Sequence, residues 1–257
     1  MNAPELRPAA PADAVQQELE ARVAQRTSEL ADAVRNLEAF SYSVSHDLRT
    51  PLRAISGFAQ ILARRHRACL DEEGRHYLDN IVRASEQMGR LIEDLLNYSR
   101  LGRQVIRLER VDLAAVLNGL AHDFAPRLQS LGARLELPPA PLPVRGDPTL
   151  LMQIFLNLIE NALTYRRPDV PAVVEVSAAI ESDAITVCVA DNGIGIAPEH
   201  HETIFGVFQR LHSQDEYPGT GIGLATVKRS VEMLGGNVRV ESGKGTGSRF
   251  FVRLRRP

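Results

Sequence analysis

The 257-residue sequence contains no tryptophan, two cysteines, and lysine only at Lys228 and Lys244. Cys69 and Cys188 lie far apart and lack metal-ligand spacing, which argues against a disulfide scaffold and fits a reducing compartment. Cys188 lies inside the apolar run 185–190. We therefore predict a buried structural thiol there, with a reactive thiol as the alternative.

An excess of one charge and a long apolar run are also missing. Lys+Arg 30 against Asp+Glu 32 gives a formal charge of -2, so no global basic surplus indicates nucleic acid or an anionic membrane. The apolar runs are too short to cross a bilayer, and the N-terminus has no signal-peptide pattern, so we expect a cytoplasmic chain without membrane insertion. A hydrophobic fraction of 44% is enough for a folded core.

The first hundred residues have a helical pattern. Prolines mark residues 1–14 as a disordered start, after which apolar side chains recur at heptad spacing, at Leu19, Val23, Leu30, Leu37, Phe40 and Val44. This predicts one long helix through residue 65 that pairs as a parallel dimer; packing against its own domain is the alternative. After a break at 71–74, a second helix completes an antiparallel hairpin, and two hairpins form a four-helix bundle.

His46 lies on the face of the first helix that points away from the heptad seam. Asp47 follows it and can accept the imidazole proton, which leaves the other ring nitrogen free to attack. Pro51, five residues on, costs about 3 kcal/mol inside a helix and indicates a bend one turn beyond the histidine. From the residues alone, His46 is either a nucleophile or an ordinary surface histidine.

A second domain begins after the linker 101–104. Asp112 and Asp147-Pro148 predict the starts of helices ending near Gly132 and Tyr165. Alternating apolar runs predict strands at 133–137, 172–180, 185–190, 237–241 and 248–254. This pattern is typical of a mixed α/β layer.

Glycines in this domain fall into three clusters, at 193–195, 219–223 and 243–247. Glycine lets backbone N–H groups approach phosphates, and the second cluster opens a helix predicted over 224–234, whose N-terminus favours an anion. A nucleoside triphosphate is therefore the predicted ligand, although neither the P-loop nor the Rossmann spacing is present. Turn-rich loops without a ligand are the alternative.

Taken together, these residues resemble the bacterial sensor histidine kinases of two-component signalling, especially the phytochrome-like kinases. Residues 40–52 resemble the H-box, 153–162 the N-box and 204–210 the F-box. The resemblance implies a coiled-coil signalling helix at 15–38, a dimerisation and histidine phosphotransfer domain at 39–103, and an α/β-sandwich ATP-binding domain of the Bergerat or GHKL type at 108–257.

The resemblance also implies residue roles. His46 is the expected phosphoacceptor, Asp47 its base, Thr50 a phosphatase residue, and Arg210 a group that stabilises developing charge. Asn161 is the expected magnesium ligand, Asp191 the acceptor of the adenine amino group, and 211–218 a mobile lid. The remaining expected contacts to ATP and Mg²⁺ are Asn157, Tyr165, Gly193, Gly195, Ile196, Gly219, Thr220, Gly221, Gly223, Leu224 and Thr246.

Asn157, in the N-box, and Thr164, two residues after it ends, bear on the competing functions. An ATP-hydrolysing machine of the gyrase and chaperone type has a glutamate base four residues before the magnesium-binding asparagine, and the amide of Asn157 cannot act as that base. Thr164 stands where many kinases have a phosphate-binding lysine, so Arg166 or Arg167 is a candidate replacement. A non-catalytic dimerisation scaffold is the third alternative, and Thr164 alone hints at it.

The expected partners follow from the same resemblance. They are a second copy of the chain, the receiver domain of a response regulator, and an upstream sensor domain or protein, because nothing before the coiled coil is large enough to sense a signal.

Overall fold

The computed structural model describes residues 12–102, 105–139, 141–213 and 216–257. The N-terminal residues 1–11, which belong to the segment expected to be disordered, lie outside the described residues. So do the side chains at 12–15, 24, 28, 30–42, 45 and 46, which include His46 and part of the heptad seam.

Two helices form the N-terminal hairpin. Helix α1 (Ala12–Arg65) contains Pro51 and begins inside the segment expected to be disordered. Helix α2 (Glu72–Leu101) begins at the helix break predicted at 71–74. The Asp71 carboxylate caps this helix by accepting the Gly74 N–H at 2.8 Å. The Arg49 guanidinium on α1 lies 2.7 Å from the Glu93 carboxylate on α2. Between α1 and α2 the buried apolar side chains are Leu52, Ala59, Leu78 and Leu96.

The second domain is a two-layer α/β sandwich. In chain order its elements are β1 (Glu109–Asp112), α3 (Leu113–Leu131), β2 (Arg134–Glu136), β3 (Pro143–Gly146), α4 (Pro148–Thr164), β4 (Val173–Ile180), β5 (Ala184–Asp191), α5 (Gly223–Met233), β6 (Asn237–Ser242) and β7 (Ser248–Arg255). The main sheet has the order β2-β4-β5-β7-β6, in which only β2 and β4 are parallel. Strands β1 and β3, which the sequence pattern missed, form a separate antiparallel pair.

One face of the sheet and one side of each helix share the core. On β5, Ile185, Val187 and Val189 are buried, and the β7 residues that pair with them are buried on the same face. Cys188 points to the other face and is half-buried, so the expectation of a fully buried thiol is wrong; packing there still raises the pKa of its thiol. Alternation along a strand explains this, because neighbours face opposite sides.

Side-chain caps set the helix boundaries that position the site. Asp112 caps α3, and its carboxylate also accepts the Leu142 N–H, which joins the helix start to the loop before β3. Asp147 caps α4 through the Thr149 and Leu150 N–H groups. Gly132 ends α3 at a φ of 58°, a left-handed conformation that glycine adopts without strain.

The two domains are in contact through α2. The Thr220 hydroxyl, in the loop before α5, donates to the Asp94 carboxylate at 2.6 Å. The Arg229 guanidinium of α5 lies 5.0 Å from the centre of the Tyr98 ring. Leu101, at the end of α2, is part of the hydrophobic core of the sandwich. Among the described residues, no helix is long and apolar enough to cross a membrane.

Candidate active site

A pocket opens between α4, the end of β5 and the segment that leads to α5. Its wall includes six of the expected contact residues, namely Asn161, Tyr165, Asp191, Gly195, Ile196 and Leu224, together with Arg210. Five further wall residues lie in the predicted motif segments without an individual role: Ile194, Ile204, Gln209, Leu211 and His212. Ser248 and Phe250, on β7, complete the wall, and the sequence analysis gave them no role in the site. The pocket therefore brings together the N-box helix, the loop that begins at Asp191, and the F-box with the first part of the expected lid.

Asp191, at the end of β5, supplies the acidic group of the pocket. The Gly193 and Ser248 N–H groups donate to its Oδ1 at 2.8 Å and 3.2 Å, which fixes the carboxyl plane. Both bonds go to the same oxygen, so Oδ2 can accept a donor from a ligand. Burial raises the pKa of Asp191 to about 6, although both N–H groups favour the charged form.

The first and third glycine clusters pack against one another. A Cβ on Gly195 would lie 1.9 Å from the Gly243 carbonyl oxygen, and a Cβ on Gly247 would lie 1.9 Å from the Asp191 carbonyl oxygen. The Gly245 N–H donates to the Ile194 carbonyl at 2.6 Å. The two loops therefore pack backbone against backbone and build the wall around Asp191.

The second cluster has the geometry of an anion site. Helix α5 begins after Ile222 without a side-chain cap, so the N–H groups of its first turn are available to a ligand. Gly221 has a φ of 74°, and a Cβ on Gly223 would lie 2.8 Å from Asn157 Oδ1. Loop 219–223 thus lies directly over the N-box face of α4.

The N-box asparagines are placed by α4. Asn157 and Asn161 are four residues apart, so they share a face of the helix. Asn157 Nδ2 donates to the Gln153 carbonyl at 2.8 Å, while Asn161 lines the pocket. Among the described residues no group of three His, Cys, Asp or Glu side chains could hold a metal by itself. One amide oxygen beside an anion site fits a Mg²⁺ ion whose other ligands are phosphates and water.

The F-box and the expected lid cover one side of the pocket. The rings of Tyr165, His212 and Tyr217 form a cluster with centroid distances from 5.3 Å to 6.3 Å. Arg210 Nη2 donates to the Tyr217 carbonyl at 3.0 Å, which ties the lid to the F-box. Burial raises the pKa of the Tyr165 hydroxyl, and the Arg210 charge opposes that change.

Other expected residues lie elsewhere. Thr246 is outside the pocket wall, and its hydroxyl donates to the Gly243 carbonyl of its own loop at 2.8 Å. Ser248, two positions on, faces the pocket instead. Strand alternation is the signal that could have found it, since Ser248 shares a face with Phe250. Asp47 and Thr50 are exposed on α1, and the side chain of His46 is outside the described part.

Comparison with known proteins supports two domains in this order. Residues 36–104 match the family model of the His Kinase A (phospho-acceptor) domain, and residues 146–257 match that of the histidine kinase-, DNA gyrase B- and HSP90-like ATPase. The phytochrome-like protein Cph1 of Synechocystis sp. is 36% identical over 239 residues, an alignment that covers 90% of this chain and 32% of that protein. The aerobic respiration control sensor protein ArcB of Escherichia coli is 33% identical, with 89% and 30% covered.

A solved structure, full-length ShkA in complex with AMPPNP, is similar with a TM-score of 0.64 and 29% identity, over 84% of this chain and 45% of that one. The chain spans about a third of the length of the curated relatives it matches.

Proposed function

Since the chain belongs to the sensor histidine kinases of two-component signalling, we propose that it phosphorylates His46 with ATP and passes the phosphoryl group to an aspartate of a response-regulator receiver domain. We assign residues 15–38 to the signalling helix, 39–103 to dimerisation and phosphotransfer, and 108–257 to ATP binding. The observation that carries the proposal is the pocket that joins the half-buried Asp191 carboxylate to an uncapped helix N-terminus.

Each end of this pocket suits one end of ATP. Oδ2 of Asp191 would accept the adenine amino group, and the wall formed by Ile194, Ile196 and Phe250 offers apolar contact to the ring. Loop 219–223 and the first turn of α5 would surround the phosphates with N–H groups. AMPPNP, an ATP analogue, is bound in the similar structure of ShkA, which supports the same ligand class here.

Phosphoryl transfer in such a site depends on placement and charge stabilisation. An imidazole nitrogen of His46 attacks the γ-phosphorus, the bond from that phosphorus to the β,γ-bridging oxygen breaks, and ADP leaves with the electron pair. Asp47 accepts the proton from the other ring nitrogen. Arg210, on the pocket wall, would stabilise developing charge, and closure of 211–218 would exclude water. Mg²⁺, held by Asn161, would neutralise charge on the phosphates.

The gyrase-type alternative fits these residues less well. Asn157 occupies the position of the hydrolytic base, and its amide donates to a main-chain carbonyl. The next acid along the helix, Glu160, lies 3.6 Å from Arg127. A purely structural scaffold would not need a buried carboxylate at the pocket wall. Transfer to a histidine therefore accounts for more of the site.

A second copy of the chain is the partner that the hairpin suits. Several apolar side chains of the hairpin are exposed, namely Leu48, Ile55, Phe58, Leu62 and Met88. The exposed fraction of Phe58 is 69%. Several of these side chains line one groove with Pro51, Leu52, Leu91 and Ile92. Covering such a groove with its copy would bury apolar surface at about 25 cal/mol per Å2. We propose a homodimeric four-helix bundle, driven by an upstream sensor domain or protein. ATP use and unpaired cysteines favour the cytoplasm.

We propose that Thr50 supports dephosphorylation of the response regulator. It is exposed one helical turn after His46, where its hydroxyl can orient a water molecule against the phosphoaspartate of the regulator. Thr50→Ala should then lose dephosphorylation and keep autophosphorylation. Equal loss of both activities would favour a hydroxyl that only bonds back to the helix backbone.

The deciding experiment is incubation of the full chain with γ-labelled ATP. His46→Gln should abolish incorporation, whereas His66→Gln, an exposed histidine at the end of the same helix, should retain it. The product should be acid-labile and stable in alkali, as expected for phosphohistidine. Substantial labelling of the His46→Gln variant would refute the assignment of the phosphoacceptor.

A further inference from the structure

Arg127 lies on α3, outside the motifs described above, and its guanidinium reaches α4. Nη2 donates to Thr164 Oγ1 at 3.3 Å, and Nη1 lies 3.6 Å from Glu160 Oε1. These two partners are one helical turn apart, so the planar guanidinium spans that turn. The Arg127 side chain is 41% exposed, so its charge is accessible.

The position of Thr164 brings this charge to the edge of the pocket. Thr164 follows Asn161 by three residues and Asn157 by seven, a spacing that puts all three on one face of α4. Asn161 lines the pocket, and loop 219–223 contacts Asn157. Arg127 therefore contacts the face of α4 that borders the pocket and the loop before α5.

Negative charge accumulates at this edge even before a ligand binds. Burial raises the pKa of Glu160, the Arg127 charge opposes that change, and the Asp94 carboxylate of α2 adds to it. Asp94 also accepts the Thr220 hydroxyl. A triphosphate would add several more negative charges. Binding here requires a compensating cation, and a guanidinium is suited to phosphate because it donates two parallel N–H groups.

The two arginines that the sequence offered as replacements for lysine are directed elsewhere. Arg166 Nη1 donates to the Leu163 carbonyl at 3.1 Å, at the end of α4. Arg167 Nη1 donates to the Gly245 carbonyl at 3.3 Å and so supports the loop beside Asp191. Both guanidinium groups are therefore engaged by main-chain carbonyls.

We propose that Arg127 is a phosphate-binding residue, which supplies from α3 the positive charge that Thr164 lacks on α4. Its guanidinium donates to the triphosphate oxygens of ATP while Thr164 Oγ1 holds its orientation. This inference rests on the proposed function, because it assigns a contact within the same nucleotide site.

The test compares ATP with adenosine, by calorimetry on the full chain. Arg127→Ala should weaken ATP binding about 10- to 100-fold, as expected for loss of a charge-assisted hydrogen bond, and leave adenosine binding unchanged. The double variant R127A/T164K should recover most of the ATP affinity, because lysine at 164 places a charge at the same edge. Arg166→Ala is the matched control and should keep the ratio of the two affinities.

Each outcome decides one question. Parallel loss of ATP and adenosine binding, or no recovery by R127A/T164K, would mean that Arg127 only supports the fold and would overturn the inference. A selective loss of ATP binding in Arg166→Ala alone would do the same. Failure of the unmodified chain to bind ATP would instead reject the proposed function.

Discussion

Burial in the pocket wall changes the acid–base chemistry of Asp191 more than its hydrogen bonds can offset. The pKa of this carboxyl rises from 3.8 to about 6. At pH values between 3.8 and about 6, Asp191 holds a proton in the native state that it has released in the unfolded chain. The stability that this proton provides, on the order of 3 kcal/mol, is therefore complete below the unfolded pKa and lost as the pH rises through about 6.

ATP affinity should have the opposite dependence on pH. Lowering the pH from about 7 to about 5 protonates Asp191 and weakens its interaction with the adenine amino group, so affinity should fall. Asp191→Asn should bind ATP about 10- to 150-fold more weakly at neutral pH and lose the part of the pH dependence due to this residue. Calorimetry at several pH values measures both. The ATP phosphates titrate in the same range, so the Asn variant should keep some pH dependence. A pH profile identical to that of the unmodified chain would contradict the role of Asp191.

Residue identity predicted part of this site and not the rest. Asp191, Asn161 and the glycines belong to short local patterns, so the sequence alone pointed to them. Ser248 reaches Asp191 only because β5 pairs with β7 in a register that aligns these two residues. Arg127 meets Thr164 across 37 positions, and no local pattern encodes that contact.

At the scale of elements, the two interlocked loops offer a matched test. Gly245 and Gly247 have φ values of 81° and 79°, but a Cβ on Gly245 would meet nothing within 4 Å, whereas one on Gly247 would collide with the Asp191 backbone. Gly245→Ala should cost about 1–2 kcal/mol for its left-handed conformation. Gly247→Ala should cost clearly more and also weaken ATP binding. Denaturant unfolding of both variants measures the difference, and equal costs would contradict the close packing.

Helices were easier to predict than short strands. The side chains of Asp112 and Asp147 cap the starts of α3 and α4, and Gly132, which has no side chain, ends α3 in a left-handed conformation. The bounds of both helices were therefore predicted almost to the residue. Strands β1 and β3 were missed because each has four residues and is defined only by pairing with the other. Four prolines at 138–143 also suggested a loop there.

For the whole molecule, the exposed hairpin groove predicts dimerisation. Ile55→Asp puts a charge into that groove and should shift the chain to monomer at micromolar concentration. Gln60→Asp adds the same charge on the far side of α1 and should leave the dimer intact. Deletion of residues 1–38 should weaken the dimer without abolishing it, because the bundle keeps its groove. Light scattering measures all three, and a monomeric unmodified chain would overturn the architecture.

The order of the domains could be predicted from the sequence, but their contact could not. Heptads and glycine loops identified a helical part followed by a nucleotide-binding part. The hydrogen bond between Thr220 and Asp94 joins positions 126 residues apart, and neither residue is distinctive on its own. The docking of α5 against α2 therefore emerges only from the tertiary structure.

The loop contacts around Asp191 also tie ligand affinity to the folding equilibrium. The Ser248 N–H from the neighbouring strand positions the carboxylate, and the loop 243–247 packs against the Asp191 backbone, so no isolated segment can reproduce the site. A nucleotide that binds only this assembled arrangement stabilises it by mass action, by about 2.7 kcal/mol when its concentration is 100 times the dissociation constant. Conditions that loosen the pairing of β5 with β7 would therefore lower nucleotide occupancy.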